Sequence, residues 1–238
     1  MRRALFSLFC LLISVALLSG CGDNVEKSKK KYDEGVALLQ DGKKEEAEKK
    51  IKEAAELDPN NSKALFQLGY LHSDHPDEIE LAISWLRKGL KVDPDNVQGH
   101  YTIALLYGQK ELTEYETREL MKTLELNNDH EGAHYNLGVI YAQKRLYEKS
   151  IVEFNEVLRL NSNEPDALYN LGVVQLKSGN IEKADGVLAK LEGIDKDKAA
   201  KLSTLIENGK KAAKENAAKD SEKAKDSSKK AEEAKKDE

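Results

Sequence analysis

The sequence predicts an all-α protein built from repeated pairs of helices. Three series of residues recur at intervals of 34 or 35 positions along the chain. The first series is Gly35, Gly69, Ala104, Gly138 and Gly172. The second is Ala47, Ala82, Glu116, Ser150 and Ala184, and the third is Pro59, Pro94, Asn128, Ser162 and Lys196. A fixed period in three registers is the signature of a repeat architecture, and the presence of only four prolines in 238 residues favours helices.

The chain begins with a segment typical of a secretory signal. Two arginines precede an apolar run over residues 4–18, which is shorter than the ~20 residues of a membrane-spanning helix. Residues 18–21 read Leu-Ser-Gly-Cys, which resembles the lipobox of bacterial lipoproteins. The resemblance implies that residues 1–20 are a signal peptide and that Cys21 carries a lipid. The alternatives are an uncleaved anchor and a signal with an incidental cysteine.

The residues after the cysteine bear on where the protein is held. Residues 21–27 are expected to form a lipidated linker, and Gly22 follows the cysteine directly. An aspartate at that position is associated with retention at the inner membrane, and Asp23 stands one place too late. We therefore expect a lipid-anchored protein at the outer membrane, facing the periplasm. Cys10 and Cys21 are the only cysteines, so the repeat region has no thiol.

The period and the residue types resemble those of the tetratricopeptide repeat. The resemblance implies an α-α superhelix of about five helix-turn-helix repeats, at 28–61, 62–96, 97–130, 131–164 and 165–198. In each repeat a small residue of the first helix is expected to face a small residue of the second. Repeat 3 departs from the pattern, since Glu116 occupies the small position of its second helix. Burial of a carboxylate is costly, so this helix is expected to be shifted or splayed.

The chain after the last repeat divides into two parts by composition. Leu202, Leu205 and Ile206 form an apolar stripe at helical spacing, which predicts a capping helix over residues 199–209. Residues 210–238 contain alanine amid Lys, Glu, Asp and Ser. This tail is expected to be a solvated helix or disordered, and a charged arm that contacts a partner is the alternative.

One motif requires a separate test. His130-Glu131-Gly132-Ala133-His134 matches the zinc-peptidase pattern H-E-x-x-H. In the repeat frame, however, His130 falls in a turn and His134 falls at a position that Leu65, His100 and Leu168 occupy elsewhere. No third ligand is indicated, so we expect neither a metal site nor peptidase activity. A zinc-dependent envelope peptidase remains the alternative function.

Two rows of side chains in the first helix of each repeat predict a binding surface. The fifth position of every repeat is aromatic: Tyr32, Phe66, Tyr101, Tyr135 and Tyr169. One helical turn later lie Val36, Tyr70, Leu105, Val139 and Val173. Positions i and i+4 share one helix face, and the resemblance implies that this face lines a concave groove for a segment of a partner protein. Packing between adjacent repeats is the alternative role.

Two asparagines adjoin these rows. Asn136 and Asn170 are expected to hydrogen-bond the backbone of an extended ligand. We therefore predict a membrane-anchored scaffold or adaptor in envelope complex assembly, such as pilus secretin, outer-membrane protein or cell-wall machinery. A self-associating structural spacer is a further alternative.

Other classes of function lack support in the sequence. The formal net charge of −5 argues against nucleic acid as the partner, because phosphate binding requires a basic patch. The sequence contains no phosphate-binding glycine-rich loop, no nucleophile elbow and no paired cysteine ligands. We therefore expect no enzyme activity, no cofactor and no small-molecule substrate.

Overall fold

Residues 22–234 are described by a computed structural model, and this part of the chain is all-α. It contains eleven α-helices and one 3-10 helix, and no strand. The predicted signal peptide, Cys21 and the last four residues of the tail lie outside the described residues. The helical architecture confirms the fold class predicted from the sequence.

The helices form consecutive antiparallel pairs. They are α1 (22–40), α2 (Lys44–Leu57), α3 (Ser62–Ser73), α4 (Ile79–Val92), α5 (Val97–Gln109), α6 (Thr113–Leu126), α7 (Glu131–Gln143), α8 (Tyr147–Leu160), α9 (Pro165–Lys177), α10 (Ile181–Leu191) and α11 (Lys196–Ala234). The described residues divide into two compact units, with the boundary between Asn128 and Asp129. The N-terminal unit contains α1 to α6, and the C-terminal unit contains α7 to α11.

Short polar turns separate one helix pair from the next. At the starts of α3 and α5, the side chains of Asn61 and Asn96 accept hydrogen bonds from backbone N–H groups three residues later, at 3.1 and 2.8 Å. These bonds satisfy donors that a helix N-terminus leaves unpaired. Local side-chain chemistry therefore helps to start these two helices.

The turns within the helix pairs follow the same period. Gly42, Glu111, Arg145 and Gly179 all have positive φ, between 57° and 86°. In the second pair, the 3-10 helix Pro76–Glu78 replaces this turn and accounts for the extra residue of repeat 2. A left-handed backbone conformation is usually indicated by glycine. Because Glu111 and Arg145 stand at these positions, the sequence did not predict the two turns.

The glycines of the first helices face large apolar side chains. A Cβ atom on Gly69 would lie 2.5 Å from Cγ of Leu86 and 3.2 Å from the backbone nitrogen of the same residue. A Cβ atom on Gly138 would lie 2.8 Å from the ring of Phe154. At these two positions glycine makes room for a bulky residue one turn further along the second helix. The expected contact of small residue with small residue also occurs, since Ser150 bonds to Gly138.

The small residues of the second helices are completely buried beside these contacts. Ala47, Ala82, Ser150 and Ala184 have no exposed surface. Ser150 also donates a 2.7 Å hydrogen bond from Oγ to the carbonyl oxygen of Gly138. Close approach of the two backbones is thus a property of these four helix pairs, as the period predicted.

Repeat 3 accommodates its carboxylate without separation of the helices. α5 and α6 pack as closely as α7 and α8, so the expected splaying is wrong. Gly108 provides the room, because a Cβ atom there would lie 2.8 Å from Oε1 of Glu116. Burial raises the pKa of the half-buried Glu116 carboxyl. The charged form is therefore disfavoured in the folded state, and this site loses stability as the pH rises through that pKa.

Both ends of the repeat region differ in part from the sequence prediction. Residues 22–27 of the expected linker are helical and exposed, since α1 begins at residue 22. Ser28 in α1 is completely buried and donates a 2.7 Å hydrogen bond to the Ala54 carbonyl. At the other end, α11 runs past Gly209, where a tail was predicted to begin. Burial nevertheless ends near Gly209, because Leu202 and Ile206 are buried whereas residues 210–220 are exposed.

We predict that Gly69→Ala destabilises the protein by about 1–3 kcal/mol, because the new methyl group overlaps Leu86 and its backbone. Gly186→Ala is the matched control, since a Cβ atom at this position in α10 would meet nothing within 4 Å. There we expect a gain of about 0.5–1 kcal/mol from helix propensity. Urea unfolding followed by circular dichroism measures both, and equal effects would contradict the close-approach role of Gly69.

Candidate protein-binding surface

The predicted surface residues lie on the first helices of the helix pairs, and we call this the helix-A face of each unit. Ten of them are half-buried: Tyr32, Val36, Tyr70, Tyr101, Tyr135, Asn136, Val139, Tyr169, Asn170 and Val173. Phe66 is buried, and Leu105 is exposed. The residues therefore differ in how much surface they offer to a partner.

Phe66 is a packing residue, which corrects the expectation that it lines a groove. Its side chain is only 5 % exposed. The ring lies between α4 and α5, where Cβ atoms on Gly89 or Gly99 would each approach it to 2.7 Å. It also stacks on Tyr70, with ring centroids 6.3 Å apart. The two glycines therefore create the slot that this aromatic residue fills.

Other aromatic residues of the row pack between successive helix pairs while keeping part of their surface open. Tyr32 packs against the cluster that contains Leu65 and Leu68 of the next pair. Tyr169 packs against the cluster that contains Leu202 and Ile206 of α11. Each ring therefore holds neighbouring helices together. Because each ring is only half-buried, it also contributes to the helix-A face.

A polar contact links α7 and α9 in the C-terminal unit. Asn170 donates from Nδ2 to the hydroxyl oxygen of Tyr135 at 3.0 Å. The Tyr135 ring meets Phe154 edge-on, with a centroid distance of 5.9 Å. Burial, and then the negative charge of Asp166, raise the pKa of Tyr135, so its hydroxyl stays protonated. One Asn170 donor is thereby used, and its carbonyl oxygen and second N–H can serve a ligand.

Leu105 in α5 is the most exposed apolar residue of the predicted rows. It is 38 % exposed, whereas its neighbours Ala104 and Leu106 are buried at 0 and 1 %. Leu105 is therefore an exposed leucine between two core residues, and the N-terminal unit does not cover it. A partner that covered this side chain would remove apolar surface from water.

The two histidines of the H-E-x-x-H motif have structural roles. His130 caps α7, where its Nδ1 accepts a hydrogen bond from Ala133 N–H at 3.2 Å. His134 is 5 % exposed, and its Nδ1 lies 2.7 Å from Oε2 of Glu153. Within residues 22–220, no group of three or more His, Cys, Asp or Glu side chains is arranged to hold a metal ion.

The partner of His134 was missed in the sequence, although a signal was present. His100 makes the same contact, with its Nδ1 at 2.7 Å from Oε2 of Glu119. In both cases the glutamate follows the histidine by 19 residues, so it lies on the second helix of the same pair. A repeated His–Glu spacing therefore predicts a bridge within a repeat.

No helix among the described residues has the length and apolar character needed to cross a bilayer.

Comparison with known proteins identifies the repeats. A tetratricopeptide-repeat family model matches residues 32–97, and a second TPR-repeat model matches residues 147–179. No curated protein sequence matches the chain.

Solved structures share the fold at low sequence identity. YrrB, described as a TPR protein with an unusual peptide-binding site, is 22 % identical with a TM-score of 0.65, over 82 % of this chain and 98 % of that one. MamA from Desulfovibrio magneticus RS-1 is 21 % identical with a TM-score of 0.63, over 72 % and 96 %. PilF from Pseudomonas aeruginosa is 20 % identical with a TM-score of 0.60, over 78 % and 93 %.

Paired helices at this period define a helical-repeat solenoid, a class of fold that supports protein–protein interaction. The two family models assign residues 32–97 and 147–179 to tetratricopeptide repeats, and the solved structures show that the fold is shared.

We predict that Tyr135→Phe lowers stability by about 0.5–1.5 kcal/mol, because it removes the hydrogen bond from Asn170. The double variant Tyr135→Phe/Asn170→Ala is expected to cost less than the sum of the two single changes, since both remove one interaction. Tyr169→Phe, at the equivalent position of the next repeat, is the control and is expected to change stability by less than about 0.5 kcal/mol. Chemical denaturation checks the cycle, and strict additivity would contradict the coupling.

Proposed function

We propose that this protein is a lipid-anchored adaptor of the bacterial envelope that holds a segment of a partner protein on its helix-A face. The observation that carries the proposal is Leu105, an apolar side chain that is 38 % exposed on that face. It stands at the repeat position that Val139 and Val173 occupy in the C-terminal unit. The half-buried tyrosines beside these positions supply large contact area with a polar tip.

The geometry of the C-terminal unit supports recognition of a peptide segment. Asn170 keeps hydrogen-bonding capacity beyond its bond to Tyr135, and the apolar atoms of Val139 and Val173 flank this polar centre at helical spacing. Apolar groups on such a surface can contact the side chains of a bound peptide, and the amide can hydrogen-bond the peptide backbone. The peptide-binding site ascribed to YrrB agrees with this kind of ligand.

The envelope location rests on the N-terminal sequence. Residues 1–21 combine a basic start, a short apolar run and a lipobox-like end. Lipid on Cys21 would bind the protein to a membrane, because each buried methylene contributes about 0.8 kcal/mol. Gly22 favours the outer membrane, with the repeats in the periplasm. A role in assembling pilus secretin, outer-membrane protein or cell-wall machinery fits such a scaffold.

We predict that Leu105→Glu weakens partner capture at least tenfold, because a carboxylate cannot be buried in an apolar contact without cost. Met121→Glu in α6 is the matched control, since Met121 is 56 % exposed on a second helix. The assay is crosslinking in envelope fractions, followed by mass spectrometry, with circular dichroism to confirm that both variants fold. The proposal requires one partner that Leu105→Glu loses and Met121→Glu retains, and loss in both or in neither would contradict it.

We predict that Cys21→Ser abolishes incorporation of a palmitate analogue and releases the protein from the membrane fraction. The serine hydroxyl is a poorer nucleophile than a thiolate, and thioether formation requires sulfur. Metabolic labelling and intact-mass measurement detect the lipid directly. Labelling that persists in Cys21→Ser would rule out this residue as the attachment site.

A further inference from the structure

A notch in the N-terminal unit is lined by residues other than those of the helix-A face. It forms where the end of α2, the start of α3 and the second half of α4 meet, and its volume is about 440 Å³. Ala55, Leu65 and Trp85 contribute to its apolar lining. A volume of this size is typical of ligand sites, which are mostly apolar with a few placed polar groups.

Two lysines are among the four polar side chains that line the notch. Lys88 and Lys91 stand at its rim, and Nζ of Lys88 lies 3.9 Å from the centroid of the Trp85 ring. Within the part of the chain that the structure describes, neither lysine forms an ion pair with a carboxylate. Glu56 is the carboxylate that lines the notch.

A second depression adjoins the notch along α4. Its volume is about 470 Å³, and it shares Lys88 and Lys91 with the notch. Arg87 lines this second depression and donates a hydrogen bond to the hydroxyl of Tyr107, which fixes the guanidinium. The two depressions therefore form one continuous surface, with an apolar end and a basic end.

The charge of this surface is opposite to that of the whole chain. Glu80 lines the second depression, but it forms an ion pair with Lys110. Three cations, Arg87, Lys88 and Lys91, then face solvent within one and a half turns of α4, on a protein whose net charge is −5. Cations concentrated on an acidic protein attract a negatively charged ligand.

We propose that the notch and the basic depression bind an extended acidic segment of a partner protein. One large apolar side chain of the segment enters the notch beside Trp85, and the acidic residues that follow lie across Arg87, Lys88 and Lys91. The two-part shape favours a peptide, because a small amphiphilic anion would occupy the notch alone. The site shares no residue with the helix-A face, so it is a second docking surface and is independent of the proposed function.

The test uses Trp85, which is the only tryptophan in the chain, as a local fluorescent reporter in the full-length protein. The probes are three labelled twelve-residue peptides that carry Leu followed by four Glu, Ser followed by four Glu, or Leu followed by four Ser. Fluorescence anisotropy of the label gives the affinity, and Trp85 emission reports occupation of the notch. The small anion 3-phenylpropionate is the fourth probe.

We expect the Leu-Glu peptide to bind at least tenfold more tightly than the other two and to change Trp85 emission. Lys88→Ala/Lys91→Ala should weaken its binding at least tenfold. Lys49→Ala/Lys52→Ala, with the same spacing and charge loss on exposed positions of α2, should leave binding unchanged.

Three outcomes would overturn the proposal. Equal binding of the Ser-Glu and Leu-Glu peptides would indicate charge attraction without an apolar anchor. Equal weakening by the two pairs of lysine substitutions would indicate a diffuse electrostatic effect. Emission changes with 3-phenylpropionate but with none of the peptides would assign the notch to a small molecule.

Discussion

The two helices of a pair lie so close together that a large side chain of one packs directly against a glycine of the other. At Gly69 a missing side chain lets the Leu86 side chain and its backbone come within distances that a Cβ atom would forbid. The completely buried Ala82 lies one turn before this contact. Tight pairs of this kind present a fixed outer surface, because neither helix can slide without losing the fit of a large side chain against a glycine.

This constraint explains why the aromatic row has two roles. One helix pair buries too little apolar surface to be stable alone, so it must also pack against the neighbouring pair. A tyrosine side chain is long enough to contact both pairs. Tyr135 packs its ring against Phe154 of its own helix pair and reaches Asn170 of the next pair with its hydroxyl. Recognition and stability therefore share side chains in the C-terminal unit. Truncating such a tyrosine to alanine would confound them, whereas substitutions at the more exposed Leu105 separate them.

The period and the position of the glycines were sufficient to predict the fold, because a repeated pattern is read several times in one chain. The contact partners were harder to predict. Leu86 and Phe154 differ in shape at equivalent positions, and nothing in the spacing indicates that glycine contacts them as well as the small residue one turn earlier. The burial of Phe66 depends on Gly89 and Gly99. These two glycines lie outside the recurring series, so the sequence pattern did not predict that Phe66 is buried. The expected splaying at Glu116 was wrong for a similar reason, because Gly108, which makes room for this carboxylate, also lies outside the recurring series.

The start of α1 at residue 22 determines how far the repeats could stand from a membrane. Six helical residues separate Cys21 from the buried Ser28, and a helix rises about 1.5 Å per residue, or roughly 9 Å in all. If Cys21 carried a lipid, the helical residues 22–27 would therefore connect the repeats to the membrane by a short, stiff segment. Binding would be confined to a thin layer beside the bilayer, where partners in the same membrane reach a high effective concentration and soluble partners gain nothing from the anchor.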